Sequence, residues 1–100
     1  AMPNTAISVG ESMTCLSGNV LGNDKMTCAK SIFNALGQTL SIAEKHMQAA
    51  TVICASGIAF WMRLIRATTQ GAVQLGLHSN EAQKLSMQTC LGAAKLLIDS

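Results

Sequence analysis

The stretch IAFWMRLIRATTQGAVQL, residues 58–75, decides the fold of this chain. Its apolar residues recur at spacings of three and four, which is the pattern of an α-helix. Residues 58–62 are apolar on every side, so we expect this part of the helix to be buried on several sides. Arg63, Arg66 and Gln70 supply its only strongly polar stripe, and Gly76 predicts its end.

A second helical pattern follows from Ser79 onwards. We expect Ser79 to cap a helix that begins at Asn80, with Glu81 near the positive end of its dipole and Lys95 toward the negative end. Small residues near its end would let another helix approach the backbone closely. Its predicted apolar face consists of Ala82, Leu85, Thr89, Gly92, Ala93 and Leu96.

Shorter elements precede these two helices. Residues 3–22 predict one or two strands joined by turns, which should join a sheet supplied by another part of a larger protein. Asn23 is expected to cap a helix that ends at Gly37. Residues 40–43 predict an extended piece, and residues 44–53 predict a helix that is interrupted at Ser56 and Gly57.

The composition predicts self-association. Hydrophobic residues make up 49% of the chain and charged residues 12%, whereas soluble domains typically have about 25% charged residues. Because a small domain has much surface for its volume, a single copy would expose a large apolar patch. The predicted fold is therefore all-α, with about four helices after a short N-terminal strand or extended region. We expect an intertwined homodimeric bundle, formed through the helices that begin at Ile58 and Asn80.

The charge and cysteine patterns argue against several other classes of protein. The net charge of +2 includes no run of Lys or Arg, which gives nucleic-acid binding little support. The four cysteines, Cys15, Cys28, Cys54 and Cys90, form no C-x-x-C pair, and the chain has only two histidines. We therefore expect reduced thiols in a cytoplasmic protein and no metal site.

Neither a membrane span nor secretion is predicted. Residues 46–62 contain no Lys, Arg, Asp or Glu, but they fall short of the ~20 apolar residues that a membrane span needs. This stretch is therefore interpreted as a buried segment. No basic start followed by an apolar run and a small-residue cleavage site opens the chain.

Three blocks of the sequence, in order, resemble pyrroline-5-carboxylate reductases. The first, MPNT at 2–5 with VGE at 9–11 and MT at 13–14, resembles the family's M-P-N-T-P-A-x-V-G-x-G-x-T, with Ala6 in place of the second proline. The third, GAVQLGL at 71–77 with EA at 81–82 and QTCLGAAKLL at 88–97, resembles G-x-x-L-G-L followed by A-x-x-L-x-x-Q-T-x-x-G-A-A-x-L.

The second block, EKHMQAATVICASGIAF at 44–60, resembles the family's E-x-x-M-D-A-x-T-A-L-S-G-S-G-P-A-Y. Here Cys54, Ala55 and Ile58 stand where the family usually has Ser, Gly and Pro. The resemblance implies substrate binding at Ser56 and Gly57, with Thr51, Cys54 and Ala55 as weaker candidates. Backbone N–H groups at a helix N-terminus would suit a substrate carboxylate, and a plain helix cap is the alternative interpretation.

The resemblance also implies an enzyme that reduces the C=N bond of 1-pyrroline-5-carboxylate to L-proline, the last step of proline biosynthesis, with NADPH or NADH. Such enzymes hold the dinucleotide on a G-x-G-x-x-G turn in an N-terminal Rossmann domain, and this chain contains no such motif. We therefore expect an inactive fragment that binds no cofactor by itself. Residues 1–22 would belong to the Rossmann domain, and residues 23–100 would form the helical dimerisation and substrate-pocket domain.

The resemblance places Asn4, together with Pro3, beside the nicotinamide, and a turn residue after Pro3 is the alternative role for Asn4. No residue is expected to be catalytic, because holding the substrate against the nicotinamide requires no covalent nucleophile. Arg63 and Arg66 are interpreted as a solvated or interface face rather than an anion site. His46 and His78 match no catalytic position of the family and are expected to be surface or loop residues.

Two other functions remain open. The chain could be a helical dimerisation module without catalysis, or part of a degenerate reductase of another cyclic imine, as the departures at Cys54, Ala55 and Ile58 would allow. The expected partners are further copies of the same chain and, in the whole enzyme, 1-pyrroline-5-carboxylate. No nucleic acid and no membrane are expected.

Overall fold

A computed structural model describes residues 1–18 and 23–100, which divide into two compact units, Ala1–Ala59 and Phe60–Ser100. Helical residues make up 72% of the described chain, which confirms the prediction of a mainly helical fold with a short N-terminal strand region. The predicted turn around Asn19 and Gly22 lies outside the described residues. The predicted domain boundary between residues 22 and 23 falls at the edge of the same gap and stays a prediction.

The first unit contains a two-stranded parallel sheet. Strand β1, Ser12–Leu16, pairs with strand β2, Gly37–Ser41, and helix α1, Asn23–Asn34, lies between them in sequence. A parallel pair needs such a crossover. β1 therefore finds a partner within the chain, whereas the sequence predicted that its sheet would come from elsewhere. Met2 forms an antiparallel bridge with Cys15 on β1, and most of β1 is buried.

The first residue of β2, Gly37, has to be a glycine. Its φ of +147° lies in a region that L side chains rarely adopt, and a Cβ there would collide with the backbone N and O of Ser12. The predicted end of α1 at Gly37 is wrong, because the helix ends at Asn34 and two turn residues precede the strand. The extended piece is present, but it begins three residues earlier than the predicted 40–43.

A 3₁₀ helix, Thr5–Val9, occupies a part of the N-terminal segment for which a strand was predicted. Asn4 caps it, since its Oδ1 accepts a hydrogen bond from the Ala6 N–H at 3.1 Å. Gly10 ends it in the left-handed conformation with a φ of 72°. The capping asparagine offers the backbone a local alternative to a strand, which explains the wrong prediction.

The helical pattern from Glu44 onwards runs without a break to Gln74. It begins as a 3₁₀ turn, Glu44–His46, continues as α2, Met47–Ala50, widens into a π-helical segment, Thr51–Ser56, and ends as α3, Gly57–Gln74. The predicted interruption at Ser56 and Gly57 is therefore wrong.

Because this helix is continuous, its length is relevant to whether it could cross a membrane. Among the described residues, the helix Glu44–Gln74 is long and apolar enough to cross a membrane by length and composition, since it has 31 residues and an 18-residue window within it has a mean hydropathy of 1.4. None of its apolar window is buried in the single chain. The sequence prediction considered only the charge-free residues 46–62, whereas this helix extends beyond them at both ends. That no membrane is a partner stays a prediction.

In the second unit, α3 ends as its sequence predicts. Gly76 adopts a φ of +108°, its N–H donates to the Val73 carbonyl O at 3.0 Å, and the Leu77 N–H donates to the Ala72 carbonyl O at 3.2 Å. These two bonds define a Schellman motif, in which a glycine lets the chain satisfy the last carbonyls of a helix.

Helix α4, Ser79–Asp99, follows, and its N-cap is His78 rather than the predicted Ser79. His78 has extended backbone geometry and makes no capping bond through its side chain, while its carbonyl O accepts the Ala82 N–H at 2.9 Å. Ala82 and Ser86 are the buried residues of this helix.

The apolar start of α3 is exposed within one chain. Phe60, Trp61 and Met62 are 76%, 61% and 64% exposed. Nothing in the described part of one chain therefore provides the burial that the sequence predicts for these residues. Large exposed apolar patches mark interaction surfaces in soluble proteins.

Candidate functional site

Asn4 joins three segments of the first unit. Its backbone N–H donates to Ser12 Oγ at 3.2 Å, while its Oδ1 caps the Thr5–Val9 helix. Its Nδ2 donates to the carbonyl O of Cys54 at 3.1 Å, across 50 positions of sequence. The structure thus brings the segment predicted to contact the nicotinamide next to the segment predicted to bind the substrate. The turn role expected as the alternative for Asn4 is present.

Two buried hydroxyl groups lie beneath Asn4 on β1. Ser12 Oγ and Thr14 Oγ1 are 3.2 Å apart, and both residues are at most 1% exposed. They occupy alternate positions and therefore project from the same face of the strand. Neither hydroxyl was predicted to belong to the site, although their spacing of two residues in a predicted strand was a signal. The Asn4 N–H and the two hydroxyl groups satisfy each other's hydrogen-bonding requirements, so these polar groups are buried here without a large desolvation penalty.

Cys15 and Cys54 also meet in the first unit, with their sulfur atoms 3.9 Å apart. Cys15 is 2% exposed on β1, and Cys54 lies half-buried in the π-helical segment. Burial, then the hydrogen bond with Cys15 and the nearness of that second thiol, raise the pKa of Cys54 above its ordinary value of 9.0. Because the two residues are 39 positions apart in sequence, spacing alone gave no signal of this contact.

The predicted site residue Thr51 is held within its own helix. Its Oγ1 lies 2.8 Å from the Met47 carbonyl O and 2.7 Å from Met2 Sδ. A bond from a threonine hydroxyl to the carbonyl four residues earlier is a common alternative to contact with a ligand. This hydroxyl is therefore engaged by the chain itself.

Ser56 and Gly57 do not form the helix N-terminus that the sequence predicted. Gly57 has helical φ and ψ of −61° and −32°, and it continues the helix from the π-helical segment. The backbone N–H groups here are not those of a first turn, so the expected basis for binding a carboxylate is absent. π-helical turns within α-helices are frequent at functional sites, which leaves these positions of interest.

Gly57 is buried, whereas Ser56 and Ala55 are exposed. A Cβ on Gly57 would lie 3.4 Å from the Val52 carbonyl O, an ordinary contact distance. Of the main predicted pair, Ser56 and Gly57, only Ser56 thus offers an accessible side chain. Pro3, predicted with Asn4 to lie beside the cofactor, is also exposed.

The charged residues weighed as alternatives lie on the surface. Arg63 and Arg66 are exposed on α3, as expected for a solvated or interface face. His46 ends a 3₁₀ turn and His78 precedes α4, and both are exposed. In the part of the chain that the structure describes, no group of three or more His, Cys, Asp or Glu residues could hold a metal ion.

In the second unit, residues of α3 and α4 line an apolar cavity of about 680 Å³. Helix α3 contributes Trp61, Leu64 and Ile65, and helix α4 contributes Leu85 and Ala93 among others. Polar lining groups are few and include hydroxyls of threonine and serine. Such a surface suits an apolar occupant rather than a charged ligand.

Comparison with known proteins identifies the family to which the chain belongs. Residues 44–100, more than half of the chain, match the family described as pyrroline-5-carboxylate reductase dimerisation. The chain belongs to the pyrroline-5-carboxylate reductase family. The matched region comprises the π-helical segment, α3 and α4. The resemblance found in the three sequence blocks is thereby confirmed.

Individual pyrroline-5-carboxylate reductases match nearly the whole chain. Pyrroline-5-carboxylate reductase 1 of Dictyostelium discoideum is 39% identical, and the alignment covers 100% of this chain and 20% of that protein. The reductase of Synechocystis is 41% identical, with 97% and 37% covered. This chain thus spans between about a fifth and two fifths of the length of these relatives.

Solved structures of the family share the fold. The reductase from Coxiella burnetii superposes with a TM-score of 0.91 at 33% identity, covering 99% of this chain and 37% of that one. The Plasmodium falciparum reductase, solved with NADP bound, has a TM-score of 0.91 at 30% identity, covering 99% and 41%. The backbone described here therefore has the form it takes in these reductases.

The residues present do not fit a whole dinucleotide. The sequence has no G-x-G-x-x-G turn for the phosphates, and both ends of the Asn4 side-chain amide are engaged by Ala6 and Cys54.

Proposed function

We propose that this chain is part of an NAD(P)H-dependent pyrroline-5-carboxylate reductase, an enzyme that converts 1-pyrroline-5-carboxylate to L-proline. Its contribution would be self-association together with part of the substrate pocket. The observation that carries the proposal is the match of residues 44–100 to the dimerisation region of that family. By itself the chain would be inactive, because the dinucleotide site belongs to a Rossmann domain. Such an enzyme would work in the cytoplasm.

The proposed association is a homodimer formed through the second unit. Its support is the apolar cavity lined by α3 and α4, together with exposed apolar side chains such as Leu96 and Leu97, which are 75% and 79% exposed. Burying such surface contributes about 25 cal/mol per Å². A helix from a second copy would fit this cavity, because in a two-fold symmetric dimer each copy covers the apolar surface of the other with the same side chains.

Light scattering on the chain tests this association. We expect a dimer or a larger homo-oligomer for the natural sequence, and a weaker one for Ala93→Glu, which places a charge on the cavity wall. Gln83→Glu on the exposed surface of the same helix is the matched control and should leave association unchanged. A natural chain that remains monomeric while its circular dichroism shows folded helices would contradict the proposal.

For the substrate pocket we propose Ser56 and Gly57, with Thr51, Cys54 and Ala55 beside them. Asn4 and Pro3 would lie on the cofactor side. The hydrogen bond from Asn4 Nδ2 to the Cys54 carbonyl O supports this proposal, since it holds the two segments together. These residues would raise the reaction rate by positioning the substrate rather than by acid–base chemistry, because a hydride transfer requires the two reacting carbons to be held close.

Turnover is tested by joining this chain to the dinucleotide-binding part of the Dictyostelium discoideum relative. The joined protein should oxidise NADPH or NADH in the presence of 1-pyrroline-5-carboxylate, and the chain alone should not. Ser56→Ala should raise the KM for the substrate, whereas Ser8→Ala should not. A joined protein that binds NADPH and dimerises but reduces no cyclic imine would point instead to a dimerisation module. Turnover with another cyclic imine alone would indicate a changed substrate.

A further inference from the structure

We propose that Cys15 and Cys54 are a redox-active thiol pair, which a peroxide converts into a disulfide bond joining β1 to the π-helical segment. The two sulfur atoms lie 3.9 Å apart within the first unit. A disulfide bond is about 2.05 Å long, so the sulfurs must approach by about 1.9 Å. This inference does not depend on the proposed reductase activity.

The two thiols differ in access, which assigns them different roles. Cys54 is half-buried and can meet a small oxidant, whereas Cys15 is only 2% exposed. Reactive cysteines that form disulfides pair an accessible thiol with a resolving one beside it. Cys54 is therefore the thiol that reacts first, and Cys15 is the resolving thiol.

The chemistry balances with a peroxide as the oxidant. The Cys54 thiolate attacks one oxygen of hydrogen peroxide, the O–O bond breaks, and a sulfenic acid forms while hydroxide leaves and becomes water. The Cys15 sulfur then attacks the Cys54 sulfur, the S–O bond breaks, and the Cys15 proton leaves with the hydroxide as a second water. The two sulfur atoms together lose two electrons, and one peroxide molecule gains them and is reduced to two waters.

The bond would act on the candidate site directly. The carbonyl O of Cys54 accepts the hydrogen bond from Asn4, and Ala55 follows it in the chain. A covalent link from Cys54 to the buried strand would hold this part of the helix in place. The raised pKa of Cys54 keeps most of it as the thiol near neutral pH, so oxidation should be slow there and faster in alkaline solution.

The sequence allows an unambiguous test, because trypsin places each cysteine on its own peptide: residues 1–25, 26–30, 46–63 and 85–95. The reduced chain is treated with hydrogen peroxide, unfolded in the presence of an alkylating reagent and digested without reduction, and its linked peptides are identified by mass spectrometry. We expect peptides 1–25 and 46–63 to form the most abundant linked pair within single chains. The same treatment in urea should remove this preference.

Cys15→Ser and Cys54→Ser should each abolish the link, whereas Cys28→Ser should retain it, since Cys28 is an exposed cysteine outside the pair. The comparison of folded and urea-treated natural chain needs no variant, so it remains decisive if a substitution prevents folding. If Cys28 or Cys90 forms the dominant links, or if Cys15 and Cys54 are both still alkylated once Cys28 is oxidised, the thiol pair is refuted.

Discussion

Asn4 should stabilise the folded chain before any cofactor is involved. Asn4→Ala removes two interactions, the cap on the Ala6 N–H and the hydrogen bond to the Cys54 carbonyl O, each at 3.1 Å. Loss of an N-cap costs about 1 kcal/mol. A half-buried hydrogen bond contributes about 1 kcal/mol net. Asn4→Ala should therefore lower the free energy of unfolding by about 2 kcal/mol.

Asn4→Asp keeps the first contribution and removes the second. The carboxylate keeps the capping acceptor, but its other oxygen has no N–H to donate and repels the Cys54 carbonyl O, so the cost should be at least about 1 kcal/mol. Urea unfolding followed by far-ultraviolet circular dichroism measures both variants, at one protein concentration because association shifts apparent stability. Ser8→Ala, in the same 3₁₀ helix and exposed, is the control and should change stability by less than about 0.5 kcal/mol. An Asn4→Ala variant as stable as this control would refute the reasoning.

Three further predictions concern other positions. Gly37→Ala should destabilise the chain by about 2 kcal/mol or more, through the collision with Ser12 and a strained φ, whereas Gly71→Ala in open space on α3 should stabilise it by about 0.5–1 kcal/mol in urea unfolding. Gly76→Ala should cost about 1 kcal/mol, because alanine disfavours the φ of +108° that ends α3, and a Gly76→Ala variant as stable as Gly71→Ala would contradict this. The pKa of Cys54 is higher in the folded state than its ordinary value of 9.0, so the folded state binds the thiol proton more tightly than the unfolded state. The protonated thiol should therefore contribute its full stabilisation below pH 9.0, and the free energy of unfolding should decline as the pH rises further. In urea unfolding, Cys54→Ser should lack this decline.

Local signals in the sequence predicted helix α3 and its end. Gly76 ends α3 because a left-handed residue is needed there, and the apolar spacing of residues 58–75 marks the helix itself. Where two local signals competed, the prediction failed. Ser56 and Gly57 are typical of a turn, but the helix passes through them in a π-helical segment, since the apolar positions on both sides favour one continuous helix.

Contacts between distant residues could not be predicted from one sequence. The bond between Asn4 and Cys54 spans 50 positions, and nothing in either neighbourhood specifies the other. The resemblance suggested that both belong to one pocket, but it did not identify the hydrogen bond or the Cys15 thiol beneath it. Likewise, Gly37 looked like the end of α1, whereas its role is to let β2 approach Ser12 on β1.

Strand β2 has a consequence for handling the chain. Among the residues that the structure describes, its only strand partner is β1, so one row of its backbone amides and carbonyls faces no other strand. Its sequence, GQTLS, contains none of the lysines or prolines that commonly protect such an edge. We expect concentrated solutions of the chain to polymerise by strand addition at β2, a process separate from pairing of the helices. Gln38→Lys should suppress it.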